Sequence, residues 1–140
     1  MSNYLEIQFE PNAEQQRILS MAEGDDFPWY FQESTDPKYM VFCHVLMKRN
    51  PQDLPETGVI NSHMYELFKT VFDAVCKEHN VTYTKVLRAA INNVGHYPDL
   101  MGDIHNDHSF PHKNFILYLN DFTGAPTYFF DDSKNLVYKS

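Results

Sequence analysis

Within four residues, His105-Asn106-Asp107-His108 brings together three side chains that bind metals or move protons. On an extended strand, side chains two apart point to the same face, with Cα atoms roughly 6.6 Å apart. His105 and Asp107 can therefore grip one metal ion between them, the first through nitrogen and the second through oxygen. A third ligand from a facing strand would complete two histidines and one carboxylate on one face of an octahedron. Three positions would then stay open for reactants. His108 follows Asp107 directly and points to the opposite face of a continuous strand. His112 lies beyond Pro111 in a loop that can fold back. The bland alternative for His105 and Asp107 is an ordinary histidine and a solvated carboxylate in a surface loop.

The remaining histidines read differently. His44 sits in the apolar run 39–47 and reads as a satisfied core histidine, while His63, His79 and His96 read as surface or helix-cap residues. Arg88 either faces inward to hold an anion or pairs with a surface carboxylate. A metal-dependent hydrolase built on His105, Asp107 and His108 would need further histidines upstream at short spacing, and residues 97–104 contain none.

These groups need a scaffold. Leu5, Ile7 and Phe9 alternate with Glu6, Gln8 and Glu10, the pattern of a half-buried strand ended by Pro11. Asn12 can cap a short helix running through Met21 and closed at Gly24. Residues 27–31 and 39–47 read as strands, and 49–60, with Pro51, Pro55 and Gly58, as a loop. The clearest element is a helix over 62–78. There Met64, Leu67, Phe68, Val71, Phe72, Val75 and Cys76 fall on one face, with Asn61 or Ser62 as its cap and Asn80 as its end. The period then changes to two: strands are expected over 81–93 and 113–120. A hairpin is expected from 126–130 and 135–138 across Asp131-Asp132-Ser133-Lys134. Helices followed by a run of strands predict an α+β protein whose sheet curls into a sandwich or barrel, a single domain spanning 1–140.

Composition agrees. Of 140 residues, 43% are hydrophobic, 21% charged and 15% aromatic, which excludes a disordered chain or a coiled coil. The net charge of −8 argues against nucleic acid as a partner, because displacing counterions from a phosphate backbone needs a basic surface. Two cysteines outside any CxxC pair make neither a disulfide scaffold nor a zinc knuckle. No signal peptide and no membrane-length apolar run is visible, so the expectation is a cytoplasmic protein with no membrane partner.

Beyond His105-Asn106-Asp107, the segments Leu87-Arg88-Ala89-Ala90-Ile91-Asn92, Tyr118-Leu119-Asn120-Asp121 and Gly124-Ala125-Pro126-Thr127 follow in a characteristic order, with the aromatic Phe27-Pro28-Trp29-Tyr30 near the start. In these the chain resembles the 2-oxoglutarate- and Fe(II)-dependent oxygenases, specifically the prolyl-hydroxylase-like group of phage and marine genomes. The resemblance implies a double-stranded β-helix (a cupin-like jelly roll) with N-terminal helices packed on the sheet. It implies His105 and Asp107 as iron ligands and Tyr118 as a contact of the co-substrate 2-oxoglutarate. A small-molecule or peptide substrate and O2 would be the other reactants, a C–H bond would be hydroxylated, and a phage-encoded enzyme would work in the host cytoplasm. The Gly124–Thr127 segment matches a family Gly-Gly-x-Thr altered by Ala125 and Pro126, and reads in its direct role as a hairpin turn.

Two features depart from that family. Its members carry a second metal-binding histidine on a later strand and, beyond it, a basic residue for the 2-oxoglutarate carboxylate. Here the last histidine is His112, the last arginine is Arg88, and only Lys134 and Lys139 are basic after Lys113. The expectation is either a fragment lacking the C-terminal strands or a shortened variant. The alternative function is a non-catalytic jelly-roll interaction protein or an inactive fragment derived from the family. A sheet left open in this way predicts a homodimer that covers it, or a marginally stable fold.

Overall fold

A computed structural model describes residues 4–33, 40–95, 103–121, 123–124 and 126–139. They belong to two compact units: Phe9–Gly95, and a second formed by Met1–Gln8 together with His96–Ser140.

The Phe9–Gly95 unit begins with helix α1 (Ala13–Ser20), extended by a 3-10 turn at Met21–Glu23. Its start is a reciprocal capping box. Asn12 Oδ1 accepts from the backbone N–H of Glu14 and Gln15, both at 3.0 Å, and Gln15 Oε1 accepts from Asn12 N–H at 2.8 Å. Ile18 and Leu19 are its buried side chains. The sheet is four-stranded and antiparallel, with β1 (Tyr30–Glu33), β2 (Met40–Lys48), β3 (Val59–Ile60) and β4 (Ala89–Val94). All three other strands pair with β2. The β2–β4 register skips between Val45 and Met47, so Leu46 is an extra, bulged residue. Its carbonyl accepts two N–H groups, Asn61 at 2.9 Å and Ser62 at 3.1 Å, and so ties the end of β3 to the start of helix α2 (Tyr65–Glu78).

Helix α2 forms where the apolar residues recur at helical spacing. Val71 and Val75 are almost fully buried, with Tyr65 and Cys76 beside them on the inward face. Asn80, at φ 55°, ends the helix in the left-handed conformation that asparagine tolerates. The loop before β3 is fixed by Gly58: a Cβ there would lie 2.4 Å from the Lys48 carbonyl oxygen and 2.5 Å from that of Leu87. Only a residue without a side chain lets the loop pass between those two backbones.

In the second unit, β5 (Tyr128–Phe130) and β6 (Leu136–Lys139) make an antiparallel hairpin. The connection is organised by Asp131, whose carboxylate accepts from the N–H groups of Ser133 at 2.9 Å and Asn135 at 2.8 Å, while Lys134 takes φ 63°. These hydrogen bonds from Asn135, chiefly, and Ser133 hold the Asp131 carboxyl below the usual aspartate range.

At the level of class the expectation stands: helices with antiparallel sheets, an α+β protein. Three expected strands differ. Residues 5–9 carry no ladder, and Leu5 is 69% exposed. Of 81–93, only the part from Ala89 pairs. Upstream of it, Tyr83 donates to Asp73 at 2.5 Å, Lys85 donates to the Pro55 carbonyl at 2.5 Å, and the Val86 carbonyl accepts from Gly58 N–H at 3.1 Å. Those bonds run to the helix and the loop and leave the segment irregular. Residues 113–120 show inward turning at Leu117 and Leu119 but no ladder among the described residues. Alternation records which side is covered; a strand also needs a neighbour to pair with. The aromatic strand starts at Tyr30 rather than Phe27, because Pro28 has no N–H to give a ladder. Among the described residues, no helix is long and apolar enough to cross a membrane.

Candidate functional site

His105 and Asp107 lie on an irregular stretch, with the chain bending at 107–110, and not on a strand. Their side chains nevertheless converge. The Asp103 carbonyl can only accept, so His105 Nδ1, 2.8 Å away, carries the proton and donates to it. That leaves Nε2 with its lone pair, 4.0 Å from Asp107 Oδ1. Metal-binding histidines are oriented in this way, one nitrogen tied to a carbonyl and the other turned to the ion. The donor set, imidazole nitrogen and carboxylate oxygen, suits a divalent iron, but bonds of about 2.0–2.2 Å to adjacent octahedral positions would require the two atoms, 4.0 Å apart here, to close by about 1 Å. The imidazole is 74% exposed and the carboxylate 34%, so the pair is open to solutes.

His108 and His112 form a separate aromatic group. Their rings meet edge to face at 4.9 Å, with Phe110 4.9 Å from His108. His112 Nδ1 donates to the Phe110 carbonyl at 2.8 Å, which folds the loop around Pro111 back on itself. Among the described residues, no three His, Cys, Asp or Glu side chains gather as a metal site.

Tyr118, expected at a co-substrate, has its hydroxyl bonded to Thr127 Oγ1 at 2.5 Å. The turn between them includes Gly124 at φ 79°, a conformation in which glycine costs nothing and other residues are strained. The structure thus joins two of the segments that carried the family resemblance. Thr127 as the partner of Tyr118 was not visible in the sequence, where its segment read only as a turn. Arg88, the candidate anion ligand, is half-buried immediately before β4. His96 and residues 97–102 lie outside the described residues.

The best-organised polar group is in the other unit. His44, 4% exposed, has Nδ1 2.8 Å from the Pro28 carbonyl and Nε2 2.7 Å from Ser62 Oγ. The carbonyl fixes the proton on Nδ1, so Nε2 accepts from the Ser62 hydroxyl. Ser62 Oγ in turn accepts from Met64 N–H at 3.1 Å. Both ring nitrogens of His44 and the Ser62 hydroxyl are used, and the Phe27 and Tyr30 rings pack beside the imidazole at 5.1 and 5.9 Å. This is a core histidine, as expected, joining the segment before β1, strand β2 and the start of α2. The serine that satisfies it comes from a cap candidate 18 residues away.

On the outer side of α2, Asp73 receives Lys69 Nζ and Tyr83 Oη, both at 2.5 Å. Burial pushes the Asp73 carboxyl up, but the bonds from Lys69 and Tyr83 outweigh it and hold the carboxyl below its ordinary range. Bonding to Asp73 raises both Lys69 and Tyr83 above theirs. Cys76 is buried and free, and burial, with the nearby Asp73 charge, pushes its thiol up, away from the thiolate a nucleophile needs. Comparison with known proteins finds no matching family, no matching curated protein and no matching solved structure.

Proposed function

We propose that the His105–Asp107 pair is the iron-binding limb of an Fe(II)- and 2-oxoglutarate-dependent oxygenase, built on a double-stranded β-helix. The observation that carries this reading is the His105 tether: Nδ1 is committed to the Asp103 carbonyl, and Nε2 faces the Asp107 carboxylate across 4.0 Å. The Tyr118–Thr127 bond supports it, since it holds a phenol at the position where the family resemblance expects a 2-oxoglutarate contact. Antiparallel strands following helices are compatible with the β-helix.

In this reading His105 and Asp107 hold the metal with most of its coordination sphere open, and Tyr118 offers a hydroxyl to the keto acid. Iron(II), when bound, couples oxidative decarboxylation of 2-oxoglutarate to hydroxylation of an unactivated C–H bond. The acidic surface suits a neutral or cationic small molecule or peptide as the group hydroxylated.

The test is an anaerobic titration of the whole chain with Fe(II) and 2-oxoglutarate, following the visible charge-transfer band of the chelate. A saturable band, lost in His105→Ala and in Asp107→Ala, is expected. No band in the wild-type chain, or a band untouched by both substitutions, overturns the reading and leaves a non-catalytic module.

A further inference from the structure

The first residues of the chain read as a strand, yet they form no ladder. What they do instead is specific. Tyr4 stacks on Tyr138 of β6, ring centroids 5.4 Å apart and planes 13° from parallel, and its ring also meets Phe129 of β5 at 5.1 Å. Phe129 and Tyr138 are themselves cross-strand partners, 5.8 Å apart. Two residues further along the arm, Glu6 accepts a hydrogen bond from the Tyr138 hydroxyl. The arm therefore covers the one cross-strand aromatic pair of the hairpin and bonds to its polar end.

A two-stranded hairpin is marginal in water unless a further element covers its apolar face. The hairpin also leads directly to the functional candidates: Thr127, which holds the Tyr118 hydroxyl, precedes the first residue of β5. We propose that Tyr4–Glu6 is a strap clamped across the β5–β6 hairpin, and that through the hairpin it positions Thr127 and with it the Tyr118 hydroxyl. Tyr4 and Glu6 are positioning residues in this scheme. The proposal does not depend on iron binding at His105 and Asp107.

One property of Tyr138 follows. Its phenol is raised above the usual tyrosine value, first by the bond to Glu6 and then by burial and the neighbouring charges of Glu6 and Tyr118. Of the other charges on the hairpin, Lys139 lies 5.6 Å over the Tyr128 ring, and Asp131 is engaged in its own turn.

The experiment is residue-resolved hydrogen exchange and alkaline titration on the full chain, comparing wild type, Tyr4→Ala and Glu6→Ala. In both variants the amides of 128–139 should exchange about tenfold faster, with those of 40–48 and 71–76 unchanged, and the Tyr118 ring resonances should shift. In Glu6→Ala, one tyrosine should also ionise earlier, towards the ordinary value near 10.0. Unchanged exchange across the hairpin in both variants overturns the strap. So does a loss of protection spread equally over 40–48 and 128–139, which would mark a general destabilisation. A faster hairpin with the Tyr118 resonances unmoved would overturn the positioning role. Should Tyr4→Ala fail to fold, Glu6→Ala, which removes only an exposed carboxylate, decides the question.

Discussion

The Phe9–Gly95 unit and the unit carrying His105, Asp107 and Tyr118 are held by different physics. In the first, near-complete burial of Val71 and Val75, a histidine with both nitrogens satisfied and a glycine squeezed between two carbonyls each fix one conformation. In the second, the candidate ligands and Tyr118 are partly exposed, and apart from the strap much of the order comes from short-range bonds: His105 to Asp103, His112 to Phe110, Asp131 to its own turn. Dense cores tolerate little change in volume. Loops ordered by local hydrogen bonds leave donor atoms facing solvent, where a metal or co-substrate can reach them. The comparison separates a region fixed by its core from one whose candidate ligands stay open to solvent.

Three substitutions test it. The largest effect is expected at Gly58, where the Cβ of Gly58→Ala would press against two backbone oxygens that can yield only by moving β2 and the segment before β4. Overpacking of this kind costs about 1–3 kcal/mol and here should reach the upper end. Thermal or denaturant unfolding measures it, and a loss under about 0.5 kcal/mol would show that the Phe9–Gly95 unit is as yielding as the loops. Next comes His44→Ala, which strands the Ser62 hydroxyl and the Pro28 carbonyl and opens a cavity; about 2–3 kcal/mol should be lost. Restoration of most of that loss in a His44→Gln variant would sharpen the point that hydrogen bonding and not bulk is at stake.

The smallest is Asp73→Asn, about 1 kcal/mol or less at neutral pH, because the Lys69–Asp73–Tyr83 group is partly exposed and screened. Its value lies in the pH profile. Asp73 is lowered in the fold, so its contribution is present above the unfolded carboxyl value near 3.8 and fades as pH falls through the lower folded value. Tyr83 and Lys69 are raised, so theirs is present below about 10 and fades as pH rises through the folded values. Wild-type stability relative to Asp73→Asn should thus be flat between these limits and shrink on both sides. A difference that shrinks on the acid side alone would remove Tyr83 and Lys69 from the scheme.

Much of the local structure is legible in the sequence. The apolar period gives α2, Asn12 gives the start of α1, Asp131 to Lys134 gives the β5–β6 turn, and His44 amid apolar neighbours reads as a core residue. These features depend on residues close in the chain. What escapes is non-local: that Ser62 satisfies His44, that Tyr83 and Lys85 are diverted from a ladder to α2 and the loop, and that the arm at Tyr4 meets an aromatic pair rather than a strand. The strand assumed to bring His105 and Asp107 together is not there; the two side chains approach to 4.0 Å from an irregular stretch. The Asp103 tether does the same work over two residues.

The strap's two ends also set an order of assembly. Tyr138 and Glu6 are 132 residues apart, so closing their contact is the slowest kind of encounter for a chain of this length. On the ribosome, every residue of Phe9–Gly95 emerges before the hairpin exists, and that unit can fold while Tyr4 still has nothing to grip. The region with the candidate chemistry therefore closes only after the Phe9–Gly95 unit has had time to fold.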